Sequence, residues 1–223
     1  AAGPSAGPNG GQSYIDGFTG GQLPPKSSIR EIRVNQNPFS SEYDRLGYGR
    51  IEIFTKPGTD KIHGGFQIAG NYSSFNSENP LLNGAPEPSY YSYFSHGNVG
   101  GPINKSSSYF VSGFGRSQDN VNVLKALDPV AVSNGNTQNP PSLNEAFSYP
   151  TSFFVVSPRI DIQLGKANTL TVRYEFNRFK TTNSVSGAYA LPSQATNEND
   201  IEHELQVSDS LVLSRNLVDD IRF

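Results

Sequence analysis

Regular alternation of apolar and polar residues is the feature that most restricts how this chain folds. From Gly65 onward, segments of about nine to fifteen residues alternate in this way. Because successive side chains of a β-strand point to opposite faces, each segment predicts a strand with one apolar and one polar face. In the segment 153–165 the apolar set is Phe154, Val156, Pro158, Ile160, Ile162 and Leu164, and the polar set is Ser157, Arg159, Asp161 and Gln163.

Three more segments divide in the same way. Their apolar sets are Phe66, Ile68, Gly70 and Tyr72; Leu170, Val172, Tyr174 and Phe176; and Ile201, Leu205, Val207, Leu211 and Leu213. The polar sets of the last two include Thr171, Arg173, Glu175 and Asn177, and Glu202, Glu204, Gln206 and Ser208. In 90–101 and 107–118, aromatic residues occupy both parities. The first fits an outward set of Tyr91, Tyr93 and Val99, and the second fits either Phe110 and Phe114 or Tyr109 and Val111.

The connections between these segments alternate between short and long. Residues 103–107, 165–168 and 214–220 are predicted as tight turns, and 75–89, 121–150 and 183–198 as long polar loops. Short turns at one end and long loops at the other are typical of a transmembrane β-barrel, whose apolar face contacts lipid and whose polar face lines the lumen. An antiparallel sandwich in water also has one apolar and one polar face, so alternation alone leaves that alternative open.

Composition excludes several classes of site. The chain has no cysteine, which removes disulfides, thiol catalysis and cysteine-based zinc sites. Its formal net charge is −3 and its basic residues are not clustered, so no nucleic-acid surface is predicted. No stretch approaches about 18 consecutive apolar residues, which excludes a transmembrane helix.

Candidate chemical residues are few. The three histidines are His63, His96 and His203. None has another metal-binding residue at the spacing of a metal site, so no metal site is predicted. Arg159 with Asp161, and Arg173 with Glu175, are oppositely charged pairs two residues apart on one strand face. We predict that these four side chains face the lumen. No catalytic residue, enzyme activity or cofactor is predicted.

The segment before Gly65 differs from the barrel-like segments. It contains "YIDG", then "IREIRVNQNPFSSEYD", then "LGYGRIEIFTKPG". This order resembles the closing part of the plug domain of TonB-dependent outer-membrane receptors. There, an I-x-x-I-x-V strand, a P-x-S-x-x-Y segment and a glycine-rich turn precede a strand ending in T-K. The matching residues are Asp16, Gly17, Ile29, Ile32, Val34, Pro38, Ser40, Tyr43, Gly47, Gly49, Ile51, Ile53, Thr55 and Lys56.

The resemblance implies a domain organisation. "NPFSSEYD" and "GGPINKSSSYF" are most similar to the Oar-like branch of the family. The implied parts are a flexible stretch at 1–13, the C-terminal part of a plug at 14–62, and the first six to seven antiparallel strands of a transmembrane barrel at 63–223. We therefore expect the chain to be part of a longer polypeptide. Arg50 departs from the family, which usually has a small or apolar residue there.

The function implied by the resemblance is active transport of an unidentified ligand across the bacterial outer membrane. The implied partners are outer-membrane lipid, the TonB–ExbB–ExbD complex and the ligand itself. Two alternatives stay open. The motif from Gly47 to Gly58 also fits a plain β-hairpin of a soluble domain, and the whole chain also fits a surface β-structured binding or adhesion module without a transport role.

Overall fold

A computed structural model of the chain describes residues 11–19, 23–35, 49–77, 80, 89–135, 141–185 and 191–223. These residues form two β-sheets, one of four strands and one of seven. The described part also contains one short α-helix, α1 (Pro129–Ser133), whose first turn is capped by the Asp128 carboxylate. None of the described helices has the length and apolar character needed to cross a membrane.

The small sheet contains the N-terminal strands. They are β1 (Gly11–Ile15), β2 (Phe18–Thr19), β3 (Ile29–Asn35) and β4 (Gly49–Thr55), in the order β2-β1-β4-β3. Strands β1 and β4 are parallel, and the outer pairs are antiparallel. Since β1 begins at Gly11, the prediction of a flexible stretch over 1–13 is wrong for its last three residues, because their backbone pairs with β4. Residues 1–10 lie outside the described part.

The large sheet is an antiparallel meander in which spatial order follows chain order. Its seven strands are β5 (His63–Tyr72), β6 (Tyr91–Asn104), β7 (Ser107–Leu127), β8 (Ser142–Gln163), β9 (Asn168–Ser184), β10 (Thr196–Ser214) and β11 (Leu217–Arg222). The connection from the small sheet passes close to β7. A Cβ on Gly58 would lie 2.6 Å from backbone atoms of Tyr109, so only glycine fits there.

The connections alternate in length as predicted. Residues 105–106, 164–167 and 215–216 form short turns at one edge, which we call the short-turn edge. The connections from Tyr72 to Tyr91, from Leu127 to Ser142 and from Ser184 to Thr196 are longer, and they join strand ends at the opposite edge, which we call the long-loop edge.

The predicted connections differ from the observed ones most at two places. The predicted loop 121–150 contains strand at both ends, because backbone pairing continues from Val121 opposite Ser148 to Leu127 opposite Ser142. The predicted turn 214–220 is shorter, because β11 already begins at Leu217 and pairs with β10.

Residues that lie directly opposite each other in the ladders share a face, which divides the large sheet into an apolar and a polar face. Large apolar side chains of one parity are exposed: Phe66, Ile68, Tyr72, Tyr93, Val99, Phe154, Ile160, Ile201 and Leu205. The register also decides the open choice in β7. Tyr109 lies opposite Ile160 and belongs to the apolar face, whereas Phe110 lies opposite Arg159 and is buried on the polar face.

Candidate functional site

The polar face of the large sheet is the candidate site because it contains an unusual set of buried polar side chains. They are Ser112, Ser157, Arg173, Glu175, Asn177, Thr181 and Gln206. On β8 to β10, Ser157, Arg173, Glu175 and Gln206 each lie between two apolar residues of the other face. The predicted polar sets therefore lie together on one surface, although their function as a lumen lining stays a prediction.

Arg173 is the centre of a buried hydrogen-bond network. Its Nε donates to Ser157 Oγ at 3.2 Å, its Nη1 to Gln206 Oε1 at 3.0 Å, and its Nη2 to Glu175 Oε2. The other carboxylate oxygen of Glu175 accepts a hydrogen bond from Asn177 at 3.2 Å. Arg173 is 3% and Glu175 is 1% exposed. Burying two charges is costly unless each is paired and hydrogen-bonded, and here both are.

A second arginine joins the two sheets. Arg159 donates Nη1 to Thr55 Oγ1 of the small sheet at 2.6 Å, and Thr55 Oγ1 donates to Asp16 Oδ2 at 2.6 Å. The Arg159 guanidinium also lies 3.6 Å from Asp16 Oδ2 and 2.7 Å from Asp161 Oδ1 on its own strand. We call this set of four residues, Asp16, Thr55, Arg159 and Asp161, the Arg159 contact. It connects elements 104 residues apart in the chain.

The local sequence explains how Asp16 reaches this position. Asp16 and Gly17 have φ angles of 49° and 87°, the conformation of the tight turn that joins β1 to β2. The Asp16 amide donates to Ile53 O at 2.9 Å, and its Oδ1 accepts from the Thr55 amide at 2.9 Å. The turn is therefore fixed against the end of β4, and the carboxylate is held where Arg159 can contact it.

Arg50 has a simple structural account. Its Nε lies 2.9 Å from Glu52 Oε1, two residues along the same strand. Its guanidinium also lies over the Tyr14 ring, with 3.7 Å between Cζ and the ring centroid. The charge that departs from the family pattern is therefore accommodated within the small sheet.

The other residues predicted from the plug motif differ in burial. Ile53 and Thr55 are buried, and Lys56 donates Nζ to Ser27 O at 2.9 Å. The apolar side chains that remain exposed are Ile32, Val34 and Ile51. Gly49 is the first residue of β4 and is buried. Pro38, Tyr43 and Gly47 lie outside the described residues.

A cleft of about 820 Å³ opens at the short-turn edge, beside the Arg159 contact. It lies between the segment 57–60 and the ends of β6 to β9, and Arg159 and Asp161 line its inner wall. None of the three histidines lines this cleft. Each histidine ring shares a hydrogen bond with a different group: His63 with Lys61 O, His96 with Gln67 and His203 with Tyr174. In the described part, no three His, Asp or Glu side chains are grouped as a metal site would need.

Comparison with known proteins gives structural matches only. No protein-family model matches the sequence, and no curated protein matches it either. Crystal structures of the ferric enterobactin receptor PfeA of Pseudomonas aeruginosa are similar. One variant matches with a TM-score of 0.57 and 16% identity over 95% of this chain and 32% of the receptor. A variant in complex with enterobactin matches with a TM-score of 0.51 and 15% identity over 91% of this chain and 31% of the receptor.

These matches show the fold and nothing finer. The chain spans about a third of the length of these receptors. Its fold is the one that the resemblance to TonB-dependent receptors implies, and the predicted fold class is confirmed. The assignment to the Oar-like branch stays a prediction.

Sequence reasoning identified every member of the Arg159 contact but not their association. Asp16 and Thr55 were assigned to the plug motif, and Arg159 and Asp161 to the lumen face. A signal was present, because the plug motif contains an acidic residue, Asp16, and the polar face of the large sheet contains a basic one, Arg159. The sequence does not state how one sheet packs on the other, however, so it could not predict that Arg159 pairs with Asp16 and Thr55.

Proposed function

We propose that this chain forms the plug-to-barrel junction of a TonB-dependent outer-membrane receptor, which transports a ligand of unidentified chemistry across the outer membrane. In this proposal the small sheet belongs to the plug, and the large sheet is the first part of the barrel wall. The partners are outer-membrane lipid, the ligand and the TonB–ExbB–ExbD complex.

The observation that carries the proposal is the height and continuity of the apolar face. Every residue of the outward parity is apolar from Phe154 on β8 to Leu164, the first residue after β8. Ten residues at about 3.3 Å each, inclined by about 40°, rise about 25 Å, which is the height of the apolar band of outer-membrane barrels. The same parity is apolar from Leu170 to Phe176 on β9 and then changes to Arg178 and Lys180.

The polar face of the large sheet supports the assignment of the small sheet to a plug inside the barrel. A wall strand that carries buried charges needs a polar partner on its inner side, because an unpaired charge is costly there. For Arg159 on β8, the small sheet supplies that partner through Asp16 and Thr55. At Arg159 this contact consists of hydrogen bonds and ion pairs, so the two sheets meet there through polar groups.

Cell fractionation tests the proposal directly. The complete natural polypeptide should sediment with the outer membrane, need detergent for extraction, and migrate differently on gels before and after boiling. A polypeptide recovered in a soluble fraction without detergent would contradict the membrane assignment. It would instead favour a surface binding or adhesion module.

Transport itself needs a separate measurement. Cells that depend on the receptor should lose ligand uptake when TonB is removed, while the receptor stays in the outer membrane at an unchanged level. Uptake that continues without TonB would contradict the energy-coupled mechanism but not the location.

A further inference from the structure

Two basic side chains lie on the apolar face of the large sheet, where charges are expensive. Arg178 and Lys180 have the outward parity of β9 and are exposed. They follow directly after the apolar run that ends in Phe176. On the lipid face of a barrel, an Arg or Lys costs about 2–4 kcal/mol at the midplane but only about 0–1 kcal/mol near the interfaces. Their position in the sheet therefore has to correspond to the headgroup level.

The geometry agrees with that level. Arg178 is eight residues from Leu170, the first apolar residue of the outward parity on β9. At about 3.3 Å per residue and a tilt of about 40°, this separation is about 20 Å. The two basic residues thus lie at the long-loop edge of the apolar band.

Aromatic rings mark the same level. The rings of Phe154 and Phe176 lie 6.2 Å apart, and those of Phe176 and His203 lie 5.2 Å apart. Tyr174 shares a hydrogen bond of 2.6 Å with His203 Nδ1. Aromatic side chains with a polar end are enriched where acyl chains meet headgroups. The basic pair is therefore adjacent to a surface suited to the upper part of an acyl chain.

The neighbours of the pair leave its positive charge uncompensated on this face. Phe154 and Ile201 lie opposite Arg178, and Ser152 and Asn199 lie opposite Lys180. None of the four is acidic.

Asn199 helps to orient the site. Its Oδ1 accepts a hydrogen bond from Arg178 Nε at 3.0 Å, which fixes the plane of the guanidinium. Three acidic residues of the ladders have the same parity: Asp119 is on β7, two strands away from β9, and Asp209 and Asp219 lie toward the short-turn edge, where Asp209 is opposite Leu170.

We propose that Arg178 and Lys180, with Asn199 and Ser152 beside them, bind the phosphate of an anionic membrane lipid whose acyl chains lie along the aromatic cluster. Residues two apart on one strand face are about 7 Å apart, a spacing that a single phosphate group can bridge. Guanidinium and ammonium groups are the usual phosphate partners. The site rests on the proposed membrane location, and it adds a specific lipid contact to it.

Native mass spectrometry of the detergent-solubilised complete chain, titrated with phosphatidic acid, tests this site. Each basic residue near a membrane surface contributes about fivefold to the binding of anionic lipid, so Arg178→Gln with Lys180→Gln should weaken binding about thirtyfold. Arg178→Lys alone keeps the charge and should stay within a few fold of the natural chain. Phosphatidylcholine, with no net charge, should bind the natural chain and the double variant alike.

A matched control separates this site from general charge attraction. Lys166→Gln with Arg215→Gln also removes two exposed positive charges, but from turns at the short-turn edge. It should leave phosphatidic acid binding within about twofold of the natural chain, because its charges lie a Debye length or more from the site. Far-ultraviolet circular dichroism of each variant confirms that the β-sheet is retained.

Three results would overturn the lipid site. They are equal affinity of the natural chain and the Arg178/Lys180 variant, an equal loss in the control variant, and displacement of the lipid by inorganic phosphate at similar concentration. Any of these, found for a polypeptide that still fractionates with the outer membrane, rejects the lipid site and leaves the proposed function standing. A polypeptide that fractionates as soluble rejects the proposed function instead.

Discussion

At the scale of single residues, Arg159 is the side chain with the widest structural effect. We expect Arg159→Met to lower the free energy of unfolding by about 2–4 kcal/mol, because it leaves the half-buried carboxylates of Asp16 and Asp161 without their cation. The Thr55 amide, which donates to Asp16, should exchange its hydrogen faster. Hydrogen-exchange mass spectrometry over 49–56 measures this directly.

Arg33 provides the matched control for Arg159. Its guanidinium hydrogen-bonds Glu31 at 2.7 Å and lowers the pKa of that carboxyl, but the pair is exposed to solvent. Exposed ion pairs contribute little to stability, so Arg33→Met should leave the exchange of the Thr55 amide unchanged. If both variants exchange alike, the small sheet does not depend on the Arg159 contact.

The residue scale also shows where sequence reasoning stops. The pairs Arg159–Asp161 and Arg173–Glu175 were predictable, since residues two apart on a strand share a face. The partners Thr55 and Gln206 were not, because they come from other strands whose register the sequence does not state. Side-chain alternation predicts which face of the sheet a charged side chain occupies. Its hydrogen-bond partners from other strands are specified only by the fold.

At the scale of elements, the hairpin of β7 and β8 extends past its neighbours. Strand β6 pairs with β7 only as far as Gln118, and β9 pairs with β8 only from Thr151. Residues 119–127 and 142–150 therefore pair with each other alone among the described strands. A two-stranded ribbon is marginally stable in water, whereas a strand inside a sheet is supported from both sides.

We therefore expect two levels of amide protection within β7. Amides at 119–127 should exchange at least tenfold faster than those at 109–117, because ribbon opening does not require the sheet to open. Peptide-resolved hydrogen exchange compares the two halves of the same strand, so no variant is needed. Equal protection would show that another part of the chain covers the ribbon.

This hairpin is also the element that sequence patterns described least well. Residues 121–150 are rich in Asn, Ser and Pro, which are typical of loops. Strand formation prevails at both ends because β7 pairs with β8 from Val121 opposite Ser148 to Leu127 opposite Ser142, an effect of tertiary pairing rather than of local preference. The regular strands β5, β8 and β9 were predictable because their alternation is uninterrupted.

At the scale of the whole molecule, the decisive property is that the apolar face of the large sheet points outward. An ordinary soluble sandwich would turn such a face toward a second sheet, and the small sheet instead contacts the polar face. This inversion could be proposed from alternation together with connection lengths. It could not be proven from them, since both faces of any two-faced sheet alternate equally well.

A lysine scan along the apolar row from Phe154 to Leu164 distinguishes a sheet that faces lipid from a sheet that faces water. Ile160→Lys lies near the middle of the apolar band, and it should lower the free energy of unfolding in lipid vesicles by about 2–4 kcal/mol. Leu164→Lys, at the end of the same row, should cost no more than about 1 kcal/mol, because its ammonium group reaches the interface. Both side chains are exposed, so packing loss is comparable in the two variants.

Urea titrations of the complete polypeptide in vesicles give both values. On a water-facing sheet the two lysines would cost equally little, and the dependence on depth that marks a bilayer would be missing.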